Sequence, residues 1–425
     1  MSGSDDDERV PYAQYLRSIL EKGLLLGSPP VVTTNPNSLE EQAKKVMPKK
    51  GWDYIKGGAG ESSTMDADRL AFRQWKIVPR VLTPTTPRDL STTLFGEKYA
   101  RHSATSHADR LATDTPVLMA PIGVQSWYHD DKEVGTATAC ANLRVPFTLS
   151  TAASTNIEEL VEKVPRGPKW FQLYWPLDEE ITASILTRAK VSGFKVLVVT
   201  LDTWTLAWRP YDLDPASIPF IVGEGDDVGF NDPVFRQKFA QRTDGETPEE
   251  SKVQAGMYWC SEVFPGVSRS WEDLKILRRY WDGPIVLKGV LSIEDARLAV
   301  EHGMDGLIVS THGGRQLDGA VGTLDVLPDI ADAVGDKITV MIDSGIRTGA
   351  DILKAVALGA KGVFLGRPVV YGLGIDGAAG AEAVIAGILA DFDLTMGFCG
   401  AKTIADIKRS LLKKVSYPGD VKANL

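Results

Sequence analysis

The sequence contains few cysteines and histidines, the residues that mark disulfide-rich and many metal-binding proteins. Its 425 residues include three cysteines (Cys140, Cys260 and Cys399) and five histidines. The cysteines show neither a CxxC motif nor the spacing of metal ligands, so the pattern argues against a disulfide scaffold and indicates no metal site. We therefore expect a reducing compartment, and the histidines are few enough to consider singly.

Long apolar runs and excess positive charge are also missing. No apolar run reaches the roughly 18–20 residues needed to cross a bilayer, so no membrane span is expected. The N-terminal MSGSDDDERV is acidic and lacks the order of a signal peptide. The chain has 47 Lys and Arg against 56 Asp and Glu, a net charge of −9. That balance argues against a nucleic-acid-binding protein, whose phosphate contacts need a basic surface.

What the sequence does contain is a regular series of short apolar runs without strict alternation, as expected for parallel strands buried on both faces. The eight runs are Val117–Ala120, Val145–Ser150, Trp170–Tyr174, Val196–Leu201, Ile285–Lys288, Gly306–Ser310, Ile338–Asp343 and Gly362–Gly366. Helical patterns lie between them, for example Asn156–Glu162, a helix entered at Ser292, and Thr348–Leu358 before Gly359. Eight strand–helix units predict an α/β fold of the (β/α)8 TIM barrel type. A doubly wound open sheet is the alternative, and the strand count favours the barrel.

Three further segments complete the predicted organisation. Residues 1–110 are expected to form an N-terminal arm and a helical extension, with helices around 12–26, 38–45 and 51–72. The barrel spans 111–400, and residues 401–425 are expected to form a C-terminal helix and tail. An insertion of about 210–265 follows the fourth strand and far exceeds usual loop lengths. We interpret it as a lid over the site, with a passive insertion or an oligomer contact as the alternative.

Polar side chains gather where the predicted strands end, which is where barrels carry their reactive groups. His312 follows the sixth strand and precedes a Gly-Gly turn and Arg315. Imidazole exchanges protons near neutral pH, so we interpret His312 as a catalytic base, oriented by Asp202 from another strand end. A lone structural histidine is the alternative.

Cationic residues near these ends indicate an anionic ligand. Arg315 and Arg209 match the bidentate binding of a substrate carboxylate, although Arg209 could also be a surface arginine in a loop. Lys288 ends an apolar strand, where it either pairs with a carboxylate or stabilises an anionic ligand. The loops after the last two strands, at 344–349 and 366–367, predict a phosphate site. The GxGxxG match at 372–377 is not followed by a strand, so we reject a dinucleotide fingerprint there.

The motifs that carry a resemblance occur in one order along residues 38–415. They are Asp53–Ala59 (DYIKGGA), Ala120–Gly123 (APIG), Phe171–Tyr174 (FQLY), Thr200–Thr203 (TLDT), Leu287–Gly289 (LKG), His312–Asp318 (HGGRQLD) and Gly366–Pro368 (GRP). With these motifs the sequence resembles the FMN-dependent 2-hydroxy acid oxidising flavoenzymes, which include glycolate oxidase, lactate oxidase and lactate 2-monooxygenase. The resemblance implies a barrel that binds FMN at its C-terminal face and oxidises a small 2-hydroxy acid, with oxygen as a partner.

The resemblance also implies a role for each matched residue. His312 would be the base and Asp202 its partner, Tyr174 would hydrogen-bond the substrate hydroxyl, and Tyr54, Arg209 and Arg315 would bind the carboxylate. Lys288 would stabilise the reduced flavin. The other expected FMN contacts are Pro121, Ile122, Gly123, Ser150, Gln172 and Thr200 at the ring, and Asp343, Gly345, Arg347, Gly366 and Arg367 at the ribityl phosphate.

Two features narrow the resemblance within the family. The insertion is similar to the long loop of lactate 2-monooxygenase, and Gly123 stands where that enzyme has Gly and the oxidases usually have Ala. In lactate 2-monooxygenase, pyruvate and hydrogen peroxide stay in the closed site and react with each other. A long lid is what such retention would need. The expected reaction is thus oxidation of L-lactate to acetate, carbon dioxide and water. An oxidase that releases the 2-keto acid and H2O2 is the alternative.

Two departures from the family pattern concern substrate identity. Thr311 stands where the family usually has Asn, and Ala152 where glycolate oxidase has Trp. Outside this family, a non-redox phosphate-binding barrel and a non-catalytic ligand-binding barrel stay open.

The family resemblance implies a homotetramer or homo-octamer. The expected compartment is the cytoplasm. The C-terminal KANL is similar to a peroxisomal import signal, and if it acts as one the compartment is the peroxisome.

Overall fold

A computed structural model describes residues 11–95 and 112–416. Its centre is a sheet of eight parallel strands: β1 (Val117–Met119), β2 (Phe147–Ser150), β3 (Lys169–Leu173), β4 (Val196–Thr200), β5 (Ile285–Val290), β6 (Gly306–Val309), β7 (Thr339–Ile342) and β8 (Gly362–Leu365). The spatial order is β1-β8-β7-β6-β5-β4-β3-β2. The Met119 amide, at one end of this order, donates to the Pro146 carbonyl beside the other end at 2.9 Å, which brings the sheet nearly to closure. The predicted barrel is confirmed, and the open-sheet alternative is wrong.

The strands lack alternation because both of their faces are buried. One set of side chains, including Leu118, Trp170 and Phe364, fills the barrel interior. The neighbouring residues on the same strands, such as Val117, Phe171 and Leu365, pack outward against the helices. Burying both faces of every strand removes apolar surface from water at roughly 25 cal/mol per Å², which explains the continuous apolar runs in the sequence.

Helices cover the outside of the barrel. They are Lys132–Asn142, Ile157–Lys163, Glu179–Val191, Leu274–Tyr280, Ile293–Glu301, Thr323–Val334, Gly349–Ala357 and Arg367–Phe398. Side-chain oxygens of Asn156, Ser292 and Thr348 each accept a hydrogen bond from the backbone amide three residues onward and start the predicted helices.

Helix Arg367–Phe398 is the one helix in the described ranges that is long and apolar enough to cross a membrane. Its most apolar window is 61% buried inside the protein. The backbone leaves helical geometry at Asp376 and Gly377, so the GxGxxG match lies within a kinked helix. Burial of this kind is typical of a core helix of a barrel.

The N-terminal extension is helical, with one break that the sequence pattern did not predict. Its helices are Gln14–Leu26, Leu39–Val46, Lys49–Lys56 and Ser63–Gln74. The predicted stretch 51–72 divides at residues 57–62, where the chain contains three glycines and Ser62 has a positive φ. The Asp318 carboxylate accepts from the Glu61 amide and the Ser63 hydroxyl and fixes this break from outside the segment. The break separates helix Lys49–Lys56, which carries Tyr54, from helix Ser63–Gln74.

The insertion between β4 and β5 is mostly helical rather than an extended loop. It contains helices Pro210–Leu213, Asp227–Phe230, Pro233–Arg242 and Lys252–Val263 and the 3-10 turns Pro219–Val222 and Trp271–Asp273. Phe235 packs on Phe239, Tyr258 and Trp259 to form a small aromatic core of its own. A packed core holds the insertion in one arrangement at the carboxyl end of the barrel.

The described part of the C-terminal segment is not the predicted helix. Residues 401–416 contain the 3-10 turns Ile404–Asp406 and Arg409–Leu411 and the strand Leu412–Lys414. That strand pairs antiparallel with Trp75–Ile77, so a tertiary partner satisfies its backbone in place of a helix. A second small ribbon joins Thr92–Thr93 to Ala112–Thr113. The KANL tail and the acidic N-terminus lie outside the described residues.

Candidate active site

A cleft of about 910 Å³, counting its open mouth, lies at the carboxyl ends of the barrel strands. Its charged lining residues are Arg209, Lys288, Arg315, Arg347 and Arg367 against the single carboxylate Asp343. Burying so many cations is unfavourable unless an anion joins them. The electrostatics of the cleft therefore favour a ligand with negative charge.

His312 lies in the cleft and is held by residues at the end of β4. Its Nδ1 is 2.8 Å from Asp202 Oδ1 and 3.0 Å from the Thr203 hydroxyl. The Thr203 hydroxyl also donates to Asp202 Oδ1 at 2.8 Å. The Nε2 of His312 is 3.4 Å from the Tyr174 hydroxyl. The pairing of His312 with Asp202 that the sequence predicted is confirmed. Thr203 belongs to the same hydrogen-bonded group; it lies in the TLDT motif, but no role was predicted for it.

The protonation of this group follows from burial and neighbouring charge. Burial lowers the pKa of His312 to about 4, with Lys288 acting in the same direction and Asp202 opposing. Burial by itself raises the pKa of Asp202, but the charges of His312 and Lys288 outweigh it and keep the pKa low. At neutral pH the imidazole is neutral and can accept a proton at Nε2, because Nδ1 faces the carboxylate.

Two arginines approach the same space from different elements. Arg209 is 4% exposed, and its Nε donates to the Arg315 carbonyl at 2.7 Å. Arg315 donates to the Tyr54 and Gly57 carbonyls, and its guanidinium lies 4.8 Å from the centre of the Tyr54 ring. The alternative of Arg209 as a surface arginine is therefore wrong. Burial raises the pKa of the Tyr54 hydroxyl, so it stays a hydrogen-bond donor.

An aromatic wall closes the side of the cleft beneath the insertion. Tyr174 contacts Phe264 at 5.0 Å between ring centres, Phe264 contacts Phe220 at 5.1 Å, and Phe220 contacts Tyr54 at 6.5 Å. Phe220 and Phe264 come from the insertion and were not predicted from the sequence. Their one sequence signal is that each aromatic sits beside a proline inside the insertion. The insertion thus supplies part of the lining of the cleft, and its role as a lid stays a prediction.

Lys288 both pairs with a carboxylate and faces the cleft, so the two interpretations of it are not exclusive. Its ammonium lies 3.4 Å from Asp343 Oδ2 and donates to the Ser310 hydroxyl at 3.1 Å. The same hydroxyl accepts from the His312 amide at 3.0 Å. Ser310 therefore links the lysine to the loop that carries His312, a connection that the sequence did not indicate.

The loops after β7 and β8 form a cationic cradle, as predicted for a phosphate site. Arg367 donates to the carbonyls of Ile55 and Gly313, at 2.8 Å each, and Arg347 donates to its own neighbour Ile346. Within residues 11–95 and 112–416 neither guanidinium forms an ion pair. Burial lowers the pKa of Arg367 to about 10, which still leaves it charged at neutral pH. Gly345 and Gly366 line the same end of the cleft. Guanidinium groups without an ion-pair partner in the described ranges, one buried (Arg367) and one half-buried (Arg347), beside small residues fit a ribityl phosphate.

Ser150, Gln172 and Thr200 form a hydrogen-bonded row at the ends of β2, β3 and β4. Ser150 donates to Gln172 Oε1 at 2.8 Å, and Gln172 Nε2 donates to the Thr200 hydroxyl at 3.0 Å. The structure brings them together but places none of the three among the lining residues of the cleft. Their predicted contact with a flavin ring stays a prediction.

Pro121, Ile122 and Gly123 line the cleft. A Cβ atom on Gly123 would lie 2.4 Å from the Ala152 carbonyl oxygen, which accepts from the Val124 amide at 2.9 Å. Glycine is thus required here by the close approach of the loop after β2. This packing reason exists whatever the reaction, and it weakens Gly123 as a sign of monooxygenase chemistry.

Thr311, the departure from the family pattern, is anchored by an acid that the sequence patterns did not single out. Its hydroxyl donates to Asp68 Oδ2 at 2.6 Å and accepts from the Gly314 amide at 3.2 Å. Asp68 also accepts from the Thr323 amide at 3.0 Å. Thr311 therefore braces the turn that carries His312 through Asp68.

The fold and the cleft define a barrel enzyme that binds an anionic cofactor and a carboxylate substrate. Residues 43–414 match the model of the FMN-dependent dehydrogenase family. The chain is 51% identical to the FMN-dependent alpha-hydroxy acid dehydrogenase qulF of Penicillium citrinum, over 98% of this chain and 99% of that protein. It is 37% identical to an L-lactate oxidase of Lysinibacillus sphaericus, over 88% and 92% of the two chains. Mandelate oxidase superimposes with a TM-score of 0.73 and 30% identity, covering 90% and 98% of the two chains.

The chain belongs to the FMN-dependent dehydrogenase family. It is an FMN-dependent 2-hydroxy acid oxidoreductase, and the non-redox and non-catalytic alternatives are set aside. FMN is its cofactor. The relatives above carry the names of dehydrogenases and oxidases rather than of lactate 2-monooxygenase.

Proposed function

We propose that the chain oxidises a small L-2-hydroxy acid, with L-lactate as the substrate to test first and molecular oxygen as the electron acceptor. The observation that carries this proposal is the neutral, Asp202-paired His312 in a cleft that also holds two buried arginines. A carboxylate and an adjacent hydroxyl are the groups that such a site is suited to bind.

The geometry supports the roles that the family resemblance implies for these residues. Arg209, Arg315 and the Tyr54 hydroxyl bind the substrate carboxylate and neutralise its charge. Binding there turns the adjacent carbinol toward His312 and Tyr174. His312 Nε2 accepts the hydroxyl proton, and Asp202 stabilises the resulting imidazolium through Nδ1. The Tyr174 hydroxyl, kept protonated because burial raises its pKa, hydrogen-bonds the substrate oxygen.

FMN bound in this cleft would supply the two-electron redox chemistry between the alcohol and oxygen. Arg347, Arg367 and the backbone around Gly345 would hold its phosphate, and Lys288 would stabilise negative charge at the ring. The row formed by Ser150, Gln172 and Thr200 would offer hydrogen bonds to the polar edge of the ring. The insertion, through Phe220 and Phe264, excludes water from the reacting groups.

The outcome with oxygen separates two candidate functions. A monooxygenase keeps pyruvate and peroxide together until they form acetate, carbon dioxide and water, and the packed insertion over the cleft favours this candidate. An oxidase releases both products. The names of the relatives favour the oxidase, and the packing role of Gly123 removes one argument against it.

The experiment is the ratio of H2O2 released to oxygen consumed during turnover of L-lactate. A ratio near zero with carbon dioxide formed supports the monooxygenase, and a ratio near one supports the oxidase. His312→Ala is the matched control: it is expected to keep the flavin absorbance and lose turnover. Flavin retained with no turnover of any 2-hydroxy acid by the wild-type enzyme would contradict the proposal.

We also propose a homotetramer or homo-octamer, since the family resemblance implies one, and light scattering of the purified enzyme tests it. A location in the cytoplasm, or in the peroxisome through the KANL tail, is tested by imaging the chain with and without its last four residues.

A further inference from the structure

A glycine in β5 lies against the carboxylate that orients the catalytic histidine. Gly289 follows Lys288 at a shift in the register between β5 and β6 and has φ +101°. A Cβ atom on Gly289 would lie 2.8 Å from both Cβ and Cγ of Asp202 and 2.9 Å from its Oδ2. These separations are shorter than real Cβ contacts, so a side chain at 289 and Asp202 cannot both keep their places.

Asp202 also borders a cavity, so there is room into which its carboxylate could move. A second cavity, about 1060 Å³ with its mouth, is lined by Asp202, Gly289, Trp175 and Trp204 among others. Asp202 Oδ2 has no hydrogen-bond partner in the described part of the chain, so Oδ1 alone fixes the carboxylate to His312 and Thr203. A displaced Asp202 would swing toward this cavity and leave His312 without its partner.

We propose that Gly289 is a positioning residue, whose missing side chain keeps the Asp202 carboxylate hydrogen-bonded to His312. This inference rests on the proposed function for its catalytic readout. Gly289 thus has a role in addition to its backbone conformation. The absence of a side chain lets β5 approach the end of β4 closely at Asp202, where His312 is oriented.

The first test is Gly289→Ala with Gly245→Ala as the matched control. Gly245 has the same φ of +101°, and a Cβ atom on it would meet no atom within 4 Å, so the control carries the backbone strain without the clash. We expect Gly289→Ala to lower kcat/KM by about tenfold to a hundredfold, as small displacements of catalytic groups do. Gly245→Ala should change kcat/KM less than about twofold. An unchanged Gly289→Ala enzyme, or an equal loss in the control, would overturn the proposal.

A pH profile and a double-mutant cycle then separate positioning from general damage. Asp202 raises the pKa of His312, so its displacement should move the acidic limb of kcat/KM to lower pH. In an Asp202→Gly background, adding Gly289→Ala should cost less than about twofold, because both the carboxylate and the atoms that the new Cβ would meet are already absent. Full additivity of the two losses would show that Gly289 acts through something other than Asp202.

Stability provides a readout that does not need turnover. Removing the side chain of Asp202 removes the atoms that the new Cβ would meet. Adding Asp202→Gly to Gly289→Ala should therefore restore folding and recover the free energy of unfolding lost in Gly289→Ala. No rescue would refute the proposal even if the wild-type enzyme proved active. Conversely, a rescue in an enzyme that oxidises no 2-hydroxy acid would keep the positioning contact and reject the proposed function.

Discussion

Glu133 is a buried acid that joins two loops of the active site, and its titration should appear in the pH dependence of stability. It lies in the first turn of helix Lys132–Asn142 and is 0% exposed. Its carboxylate accepts from the Gln125 amide at 3.2 Å, the Ser154 amide at 2.9 Å and the Thr155 hydroxyl at 2.8 Å. Gln125 belongs to the loop after β1 and the other two to the loop after β2, so Glu133 ties together the segments that carry Gly123 and Ala152.

Burial raises the pKa of Glu133 from 4.5 to about 7, although the hydrogen bonds from Ser154 and Thr155 oppose the shift. The folded pKa lies above the unfolded one, so between pH 4.5 and 7 the native state binds more protons than the unfolded state. Stability therefore falls as pH rises through this window and levels off above it. A shift of 2.5 units (7 − 4.5) corresponds to about 3 kcal/mol in total.

The perturbation is Glu133→Gln, which keeps the shape, accepts from the two amides and can donate to Thr155. The free energy of unfolding of Glu133→Gln minus that of the wild type should increase by about 2–3 kcal/mol from pH 5 to pH 8, because the wild type loses stability over this range. The assay is urea denaturation of the FMN-loaded enzymes at both pH values. Glu301→Gln, at an exposed position on helix Ile293–Glu301, is the control and should show no such change. A constant or opposite difference for Glu133→Gln would refute the reasoning.

Three further predictions follow from individual contacts. His312→Ala should keep flavin absorbance but lower the rate of flavin reduction by substrate, measured by stopped flow, by about 10²–10⁴-fold, since general-base catalysis contributes on that scale. Equal rates in the variant and the wild type would contradict the assignment of His312 as the base. Arg367→Ala should weaken FMN binding in fluorescence titration, because the cradle loses a buried cation that also holds the Ile55 and Gly313 carbonyls, whereas unchanged affinity would argue against a phosphate there. Gly123→Ala should lower the free energy of unfolding by about 1–3 kcal/mol, because its Cβ would meet the Ala152 carbonyl at 2.4 Å, and an unaffected stability would show that the loop yields freely.

The residues at strand ends could be predicted from the sequence because the barrel geometry gives them meaning. Once eight apolar runs predict a barrel, His312, Asp202 and Lys288 must point to one face, since the carboxyl ends of all strands meet there. Pairing of His312 with Asp202 required no knowledge of distances. By contrast, the contributions of Thr203 and Ser310 depend on hydroxyl positions that no pattern reveals.

The segments that were predicted wrongly share a physical cause. The helix expected over 51–72 breaks because Asp318, about 250 residues away in the chain, satisfies the backbone at the break. Residues 412–414 form a strand because Trp75–Ile77 pairs with them. In both cases a distant partner overrides local preference, and the sequence window does not contain that partner.

The amino-acid sequence was sufficient to predict the barrel, its cofactor class and the pairing of His312 with Asp202, because the series of apolar runs and the order of the motifs can be read along the chain. Tertiary packing established which aromatic residues of the insertion wall the cleft, why Gly123 and Gly289 carry no side chain, and which buried acids brace the loops. These features depend on approaches of a few ångströms between residues far apart in the chain. Such distances are set when the whole core packs, and no shorter piece of the sequence fixes them.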